Sequence, residues 1–177
     1  MKKPMSDKVR LHSYNPIWSA AYETEADALK KIFGNSLIQI EHIGSTAIPG
    51  IKAKPIIDIL ISVNRIGVAE EMIPEMEALS YEHRGEFGIP GRRYFRKFTN
   101  GERSHHVHIY QSGHKAITRY LDFRDYLRIH PDRAQAYSQL KEELAVNFRD
   151  DRAMYSESKT DFILETNRLA AEWRKGK

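Results

Sequence analysis

The segment from Ile56 to Val63 constrains the fold more than any other part of the sequence. It is rich in β-branched residues and nearly all apolar, and Asp58 interrupts it. Such a run predicts a central strand that is covered on both faces of a sheet. A charge inside an apolar strand is costly unless it is paired or binds a ligand. We therefore expect Asp58 to face a metal ion, a lysine or a cluster of hydrogen-bond donors.

A Gly-Ser turn precedes this strand. Residues Ser36 to Ile43 alternate between apolar and polar, which predicts a strand that ends at Gly44. Gly44 would allow the backbone to approach a phosphate closely, and Ser45 and Thr46 add hydroxyl donors beside N–H groups that can form an anion nest. Asp58 could then hold Mg²⁺, which bridges carboxylates and phosphates. The alternative interpretation is a tight turn followed by an aspartate that caps a helix.

The rest of the sequence predicts a mixed sheet followed by a helical C-terminal third. We expect helices at Ile17–Phe33 and Gly67–Leu79, and strands at Tyr81–Phe87, Arg93–Thr99 and His106–Gln111. The connection around Asn100-Gly101 is longer than a tight hairpin in this prediction. The order of elements indicates one α+β domain over residues 1–177 rather than a regular βαβ series.

Composition excludes several classes of site. The chain has no cysteine, so disulfides, thiolate metal sites and a cysteine nucleophile are excluded. No apolar run reaches the about 20 residues that a membrane span needs, so we expect a soluble cytoplasmic protein. The net charge of +4 and the pI of about 9.2 indicate a modest basic excess. A small phosphorylated ligand is therefore a more suitable partner than a nucleic acid. The oligomeric state is not indicated.

Several long stretches carry a family resemblance, and they cover most of the chain. They are His42–Gly50, Ala53–Ile59, Gly91–Phe95, His106–Ile109, Phe123–Leu127 and Tyr155–Phe162. In these stretches the sequence resembles the GrpB family, which looks like a branch of the nucleotidyltransferase superfamily. The resemblance implies a nucleotidyltransferase-like fold and a nucleotide or other phosphorylated small molecule as the ligand. Some relatives are fused to dephospho-CoA kinase, which also suggests a CoA-related ligand.

One position departs from the superfamily pattern. That pattern is a Gly-Ser turn, roughly a dozen residues, and then two acids spaced two apart on the next strand. Gly44, Ser45 and Asp58 match it, whereas Leu60 occupies the position of the second acid. Residues two apart on a strand share a face, so one of the two carboxylates that usually bind the metal ions is missing. Metal-assisted nucleotidyl transfer and non-catalytic ligand binding therefore stay as two alternatives.

Histidines supply further candidate ligands. His106 and His108 share a strand face and, with Asp58, would form a set of two imidazoles and one carboxylate. Such a set suits Zn²⁺, Mn²⁺ or Fe²⁺ better than Mg²⁺, and it would also serve a metal-dependent hydrolase. Otherwise the pair would bind phosphate or backbone. His105 should point the opposite way and be exposed, and His42 either orients the turn or binds the ligand.

Basic residues complete the predicted site. Lys54 could pair with Asp58 or with a phosphate. Arg92 and Arg93 are expected at a strand edge near the cleft, where Arg92 could hold a phosphate through two parallel hydrogen bonds. The family resemblance makes Lys159 a candidate phosphate ligand. The alternative for the arginines is a solvated hairpin, and the alternative for Lys159 is a surface lysine.

Overall fold

A mixed five-stranded sheet organises the structure, a computed structural model that describes residues 8–177. The strands are β1 (Leu37–Ile43), β2 (Ile57–Val63), β3 (Tyr81–His83), β4 (Arg93–Thr99) and β5 (Glu102–Gln111). They lie in the order β1-β2-β5-β4-β3, and all neighbours are antiparallel except β2 and β5, which are parallel. The apolar strand β2 therefore has a neighbour on each side, as its sequence predicts.

Seven helices flank this sheet in the described part of the chain. They are α1 (Ile17–Phe33), α2 (Val68–Glu71), α3 (Ile73–Ala78), α4 (Lys115–Ile129), α5 (Pro131–Asn147), α6 (Arg152–Glu157) and α7 (Thr160–Lys175). The bounds of α1 match the prediction. The Asn15 side chain accepts a hydrogen bond from the Ile17 N–H (3.0 Å), and Gly34 ends the helix with a φ of 49°. The α+β class with a helical C-terminal third is confirmed.

The predicted helix from Gly67 to Leu79 is broken at Met72. Two short helices, α2 and α3, replace it, and Pro74 lies in the first turn of α3. Proline has no N–H to donate, and its ring clashes with the carbonyl group four residues earlier. A proline is tolerated only where a helix begins, so the chain starts a new helix here.

Two predictions about the strands need correction. The strand predicted at Tyr81–Phe87 ends at His83, and a turn region follows. The hairpin between β4 and β5 is tight, because Thr99 pairs with Glu102 across Asn100 and Gly101. These two residues have φ values of 53° and 80°, the left-handed values that a two-residue hairpin turn requires.

The two faces of the sheet have different partners. On one face, Ile59 and Val107 belong to the main core, which also contains residues of α1, α2 and α3. On the other face, Leu60 packs with Ile43 and with Ile117 of α4. The C-terminal helices lie on this second face, which also bears Asp58. Across residues 8–177, no helix combines the length and apolarity needed to cross a membrane.

Candidate functional site

The Gly-Ser turn and Asp58 are in direct contact. Gly44 ends β1 with a φ of 74°, and a single 3₁₀ turn, Ser45–Ala47, follows it. A Cβ atom built at Gly44 would lie 2.6 Å from Oδ2 of Asp58, closer than real Cβ contacts. Glycine is therefore required at residue 44 by its backbone conformation and by the carboxylate beside it.

Two arginines of α4 hold this turn from outside. Arg124 donates to the His42 carbonyl (3.0 Å) and to the Glu41 carboxylate (2.7 Å), and Arg128 donates to the Ala47 carbonyl (2.9 Å). The two arginines thus fix the backbone on both sides of Gly44-Ser45. Sequence reasoning missed this role, although Arg124 lies in one of the stretches that resemble the GrpB family.

Asp58 converges with both predicted histidines. Parallel pairing of β2 and β5 places Asp58 beside His106 and places Leu60 beside His108. Oδ1 of Asp58 lies 3.3 Å from Nδ1 of His106 and 3.3 Å from Nε2 of His108. Burial raises the pKa of Asp58, but the hydrogen-bonding imidazoles outweigh it and hold the pKa well below its usual range. Asp58 is therefore a carboxylate at neutral pH.

The hydrogen bonds of His108 define its tautomer. Burial lowers the pKa of His108 despite the neighbouring carboxylate, so the imidazole is neutral. Its Nδ1 lies 3.4 Å from Nη1 of Arg92, and a guanidinium can only donate. Nδ1 is therefore the acceptor, and the proton resides on Nε2, which donates to Asp58.

This arrangement does not fit a metal site as it stands. Nε2 of His108 is occupied by its proton and Nδ1 by Arg92, whereas a metal-bound imidazole must offer a free lone pair. Within residues 8–177, no three His, Asp or Glu side chains are grouped so as to hold a metal ion. A divalent metal (Mg²⁺, Mn²⁺ or Zn²⁺) at Asp58, His106 and His108 therefore stays a prediction, and so does the hydrolase alternative that depends on it.

Leu60 belongs to the core and not to the site. It is 1 % exposed and packs with Ile43, Tyr110, Ala116 and Ile117 beneath the start of α4. The position of the superfamily's second acid is therefore closed off by apolar side chains. A carboxylate at residue 60 would have no access to solvent.

A cavity of about 440 Å³ lies between this end of the sheet and the C-terminal helices. It is lined by the Gly44–Thr46 turn, by Asp58 with His106 and His108, and by Lys54 and Lys159. The structure thus places these eight predicted site residues around one cavity. Its walls also include Tyr120 and Phe123 of α4 and Tyr137 of α5, which the sequence did not indicate.

Three lysine amines approach this cavity without an acidic partner. Nζ of Lys159 lies 4.3 Å and Nζ of Lys54 lies 5.2 Å from the centre of the Tyr155 ring. Nζ of Lys141 lies 4.6 Å from the centre of the Tyr137 ring. In the part of the chain that the structure describes, none of the three forms an ion pair with a carboxylate. Lys141 was not predicted as a site residue.

Burial changes the protonation of these amines. It lowers the pKa of Lys54 and of Lys141 to about 7, and the pKa of Lys159 to about 8. Repulsion between the lysines adds to the effect, because Lys159 lowers the pKa of both Lys54 and Lys141. The cavity is therefore lined by lysine amines whose positive charge is only partly compensated by neighbouring carboxylates.

His42 supports the turn from outside the cavity lining. Its Nε2 lies 2.9 Å from Oγ1 of Thr46, and its ring stacks on Tyr22 with the ring centres 4.8 Å apart. Burial lowers the pKa of His42 to about 4, so the ring is neutral. Of the two roles considered for His42, this geometry favours orientation of the turn.

Arg92 and Arg93 also lie outside the cavity lining. Arg93 begins β4 and Arg92 precedes it, and β4 has a neighbour on each side, so the expected edge strand is wrong. Arg92 is buried and donates to the carbonyls of Glu86 (3.2 Å) and Phe87 (2.8 Å), so its guanidinium is already engaged. Arg93 pairs with Glu70 and Glu86.

His105 points away from the site, as strand alternation predicts, but it is not exposed. Its side chain is 15 % exposed, and its Nε2 lies 3.9 Å from the carboxylate of Glu25 on α1. Lys97 binds the same carboxylate at 2.9 Å. The helix α1 covers this face of the sheet, which is why the expectation of exposure was wrong.

Comparison with known proteins gives the family. A family model described as GrpB protein matches residues 8–168. The chain belongs to the GrpB family. It is 45% identical over 170 residues to the UPF0157 protein YqkA of Bacillus subtilis, a match that covers 96% of this chain and 49% of YqkA. The chain thus spans about half the length of that relative. The crystal structure of the conserved protein GrpB from Enterococcus faecalis is similar, with 42% identity and a TM-score of 0.89 over 93% of this chain and 99% of that one.

Two more distant proteins also match the chain, and the first of them bears on the wider fold. The Cid1 poly(U) polymerase with bound MgGTP matches 75% of this chain and 44% of its own, with a TM-score of 0.52 and 16% identity. This likeness confirms the nucleotidyltransferase-like fold and does not extend to activity. The dephospho-CoA kinase of Mycolicibacterium paratuberculosis is 27% identical over 190 residues, which cover 93% of this GrpB chain and 46% of the kinase.

Proposed function

We propose that this GrpB protein binds a nucleotide or another phosphorylated small molecule in the cavity. The observation that carries the proposal is a group of three lysines around the cavity, the buried Lys141 and the partly buried Lys54 and Lys159, none of which forms an ion pair among the described residues. Buried charges normally have a partner, because desolvation without one is costly. A phosphate group would supply an anion and would favour the protonated form of the amines that contact it.

The remaining walls suit such a ligand. The Ser45 and Thr46 hydroxyls line the cavity together with the turn that Gly44 permits, and aromatic rings form much of the rest. A volume of about 440 Å³ lies within the range of small-molecule sites. Asp58 opposes an anion, but it is one carboxylate against three amines, so the balance of charge favours a polyanion.

Thermal melts test the proposal. ATP, CTP, GTP, UTP, dephospho-CoA and tripolyphosphate should be compared, each with and without Mg²⁺, Mn²⁺ or Zn²⁺. A ligand at a hundredfold excess over its Kd stabilises the native state by about 2.7 kcal/mol. We expect at least one of these compounds to raise the melting temperature. No shift with any of them at millimolar concentration would contradict the phosphate site.

A pair of double variants makes this test specific. Lys54→Gln with Lys159→Gln removes two charges from the cavity, whereas Lys30→Gln with Lys31→Gln removes two charges from α1. The cavity variant should lose the ligand-induced shift and the α1 variant should keep it. An equal loss in both variants would indicate non-specific attraction to a basic protein.

Affinity for the phosphorylated ligand should fall as the pH rises from about 6.5 to 9. The amines titrate near pKa values of 7 to 8 in the free protein, so the cavity loses positive charge across this range. Each proton taken up on binding changes the affinity about tenfold per pH unit where the free amine is deprotonated. Titration calorimetry in buffers of different ionisation enthalpy should also show proton uptake. A flat profile would mean that the lysines do not contact the phosphates.

The same lysines affect stability with the opposite dependence on pH. In the unfolded chain their pKa is 10.5, so between about pH 7 and 10.5 the unfolded state binds more protons than the native state. Their contribution to the stability of the free protein therefore increases with pH through this window. Raised pH should strengthen the free fold while it weakens phosphate binding, which separates the two effects.

Nucleotidyl transfer is the second candidate function. The observation that favours it is the ionised carboxylate of Asp58 in contact with the Gly44 turn, within a fold shared with the Cid1 poly(U) polymerase. The buried Leu60 and the hydrogen-bonded His108 oppose it. We therefore rank ligand binding as the proposed function, with transfer to be tested through Asp58.

A further inference from the structure

Resting on the proposed phosphate site, we propose that Lys54 is a nucleophilic amine that forms an imine with a phosphorylated aldehyde or ketone bound in the cavity. This is a covalent function for one lysine of the cluster and goes beyond the binding of a phosphate. The other two lysines, Lys141 and Lys159, would hold the phosphate of the same compound.

The contacts of the Lys54 amine differ from those of the other two amines. Burial lowers the pKa of Lys141 to about 7 as well, but its Nζ donates a hydrogen bond to the Lys52 carbonyl, which holds the amine in position. Nζ of Lys54 has no hydrogen bond or ion pair among residues 8–177, and it lies against the apolar face of Tyr155. The amine of Lys159 contacts the same ring. Two cations on one buried ring repel each other, which favours release of a proton from one of them.

The charges that face Lys54 come from four elements. Arg152 on α6, Lys159 at the start of α7 and Arg103 on β5 lower its pKa, and Asp58 on β2 raises it. Burial is the largest effect and brings the pKa to about 7. About half of the Lys54 amines are then neutral at pH 7, against fewer than about one in a thousand for an ordinary lysine. Desolvation and a neighbouring cation are the two means by which proteins activate lysine nucleophiles.

The reaction balances without an oxidant or reductant. The neutral Lys54 amine attacks the carbonyl carbon, so a C–N bond forms and the carbonyl oxygen becomes a hydroxyl group. That hydroxyl group takes a second proton and leaves as water while the nitrogen loses a proton, which gives the imine. Lys159, whose amine contacts the same Tyr155 ring and is largely protonated at neutral pH, is the candidate donor of the proton that the departing oxygen takes.

Pyridoxal 5′-phosphate, followed by borohydride reduction and peptide mass spectrometry, tests the proposal on the full chain. Lys54 should be labelled about tenfold or more faster than Lys30 and Lys31 of α1 at pH 7, because more of its amine is neutral. Pyridoxal without the phosphate should label Lys54 more slowly than pyridoxal 5′-phosphate does, because it lacks the group that Lys141 and Lys159 would hold. Labelling of Lys54 at the rate of Lys31, or first labelling at Lys141 or Lys159, would overturn the proposal.

Two further measurements separate this inference from the proposed function. The tripolyphosphate melt reports phosphate binding independently. A shift without preferential labelling of Lys54 overturns the imine alone, whereas the absence of both overturns the phosphate site as well. A Lys54→Arg variant that still melts cooperatively should lose the fast label without its transfer to Lys141 or Lys159. Transfer of the fast label would show that cavity chemistry does not depend on Lys54.

Discussion

Replacing Leu60 with aspartate is expected to destabilise the fold and not to rebuild the superfamily's pair of acids. Leu60 is 1 % exposed and packs against Ile43, Tyr110 and the start of α4. Truncation of a buried leucine costs about 2–5 kcal/mol, and a buried charge without a partner adds several more. Its strand neighbour His108 is already engaged with Asp58 and Arg92. We expect a loss of about 4 kcal/mol or more, a large fraction of the 5–15 kcal/mol typical of a domain.

Urea unfolding followed by circular dichroism measures this effect. The matched control is Leu60→Met, which conserves volume and polarity and should cost less than about 1.5 kcal/mol. A Leu60→Asp protein that unfolds within about 1 kcal/mol of the wild type, well below a normal core truncation, would contradict the assignment of Leu60 to the core. Metal-dependent pyrophosphate release from such a protein would support nucleotidyl transfer as the function of this fold.

Replacing Asp58 with asparagine should separate binding from transfer. The change keeps the size of the side chain and removes the charge beside the phosphates, so the melt shift with nucleotide should persist or increase. Any nucleotidyl transfer should fall by about 100- to 1000-fold, roughly 3–4 kcal/mol of barrier, because a charged group at the reacting centre is lost. Pyrophosphate release from the wild type and from Asp58→Asn, each checked for a cooperative melt, measures this difference.

The two outcomes have distinct meanings. Turnover in the wild type that is unchanged in Asp58→Asn would exclude Asp58 from catalysis. Tight nucleotide binding in both proteins, with turnover in neither, would support the binding function alone. Loss of nucleotide binding in Asp58→Asn, with the fold intact, would show that the carboxylate is needed for binding, for example through a metal ion.

The centre of the site was predictable because it is local in sequence. The turn and β2 are separated by one loop, and the alternation of β1 with the apolar run of β2 is enough to place Gly44 and Asp58 together. His106 and His108 could be added because residues two apart on a strand share a face. The contact between Gly44 and Asp58 follows from these short-range rules.

The lysine cluster was predictable only in part. Lys54 lies in the loop before β2, Lys141 on α5 and Lys159 before α7, and only the packing of helices on the sheet brings them together. Helix periodicity places Lys141 on a buried face of α5 but does not indicate which part of the structure packs against that face. The resemblance to the GrpB family supplied Lys159, and no local pattern supplied Lys141.

Long-range packing also explains the residues that the sequence misplaced. The cluster of arginines near Arg92 suggested a basic edge strand, but β3 covers that side of β4. The guanidinium of Arg92 is engaged by the turn that precedes β4, where it donates hydrogen bonds to the carbonyls of Glu86 and Phe87. A charge cluster in a sequence does not reveal whether the charges reach solvent or satisfy buried carbonyl groups.

We expect the parallel pairing of β2 with β5 to form later than the antiparallel pairs, because it joins strands that lie far apart in the sequence. The antiparallel pairs β1–β2 and β4–β5 close short loops, whereas β2 and β5 can pair only after the whole segment from α2 to β4 has been gathered between them. Closure of a longer loop carries a larger entropic penalty and slows folding. Until β5 docks, Asp58 has neither of its imidazole partners. We therefore expect a chain in which β5 has not docked to hold the turn without the imidazoles, and the cavity to form only when the C-terminal helices have also packed on the sheet.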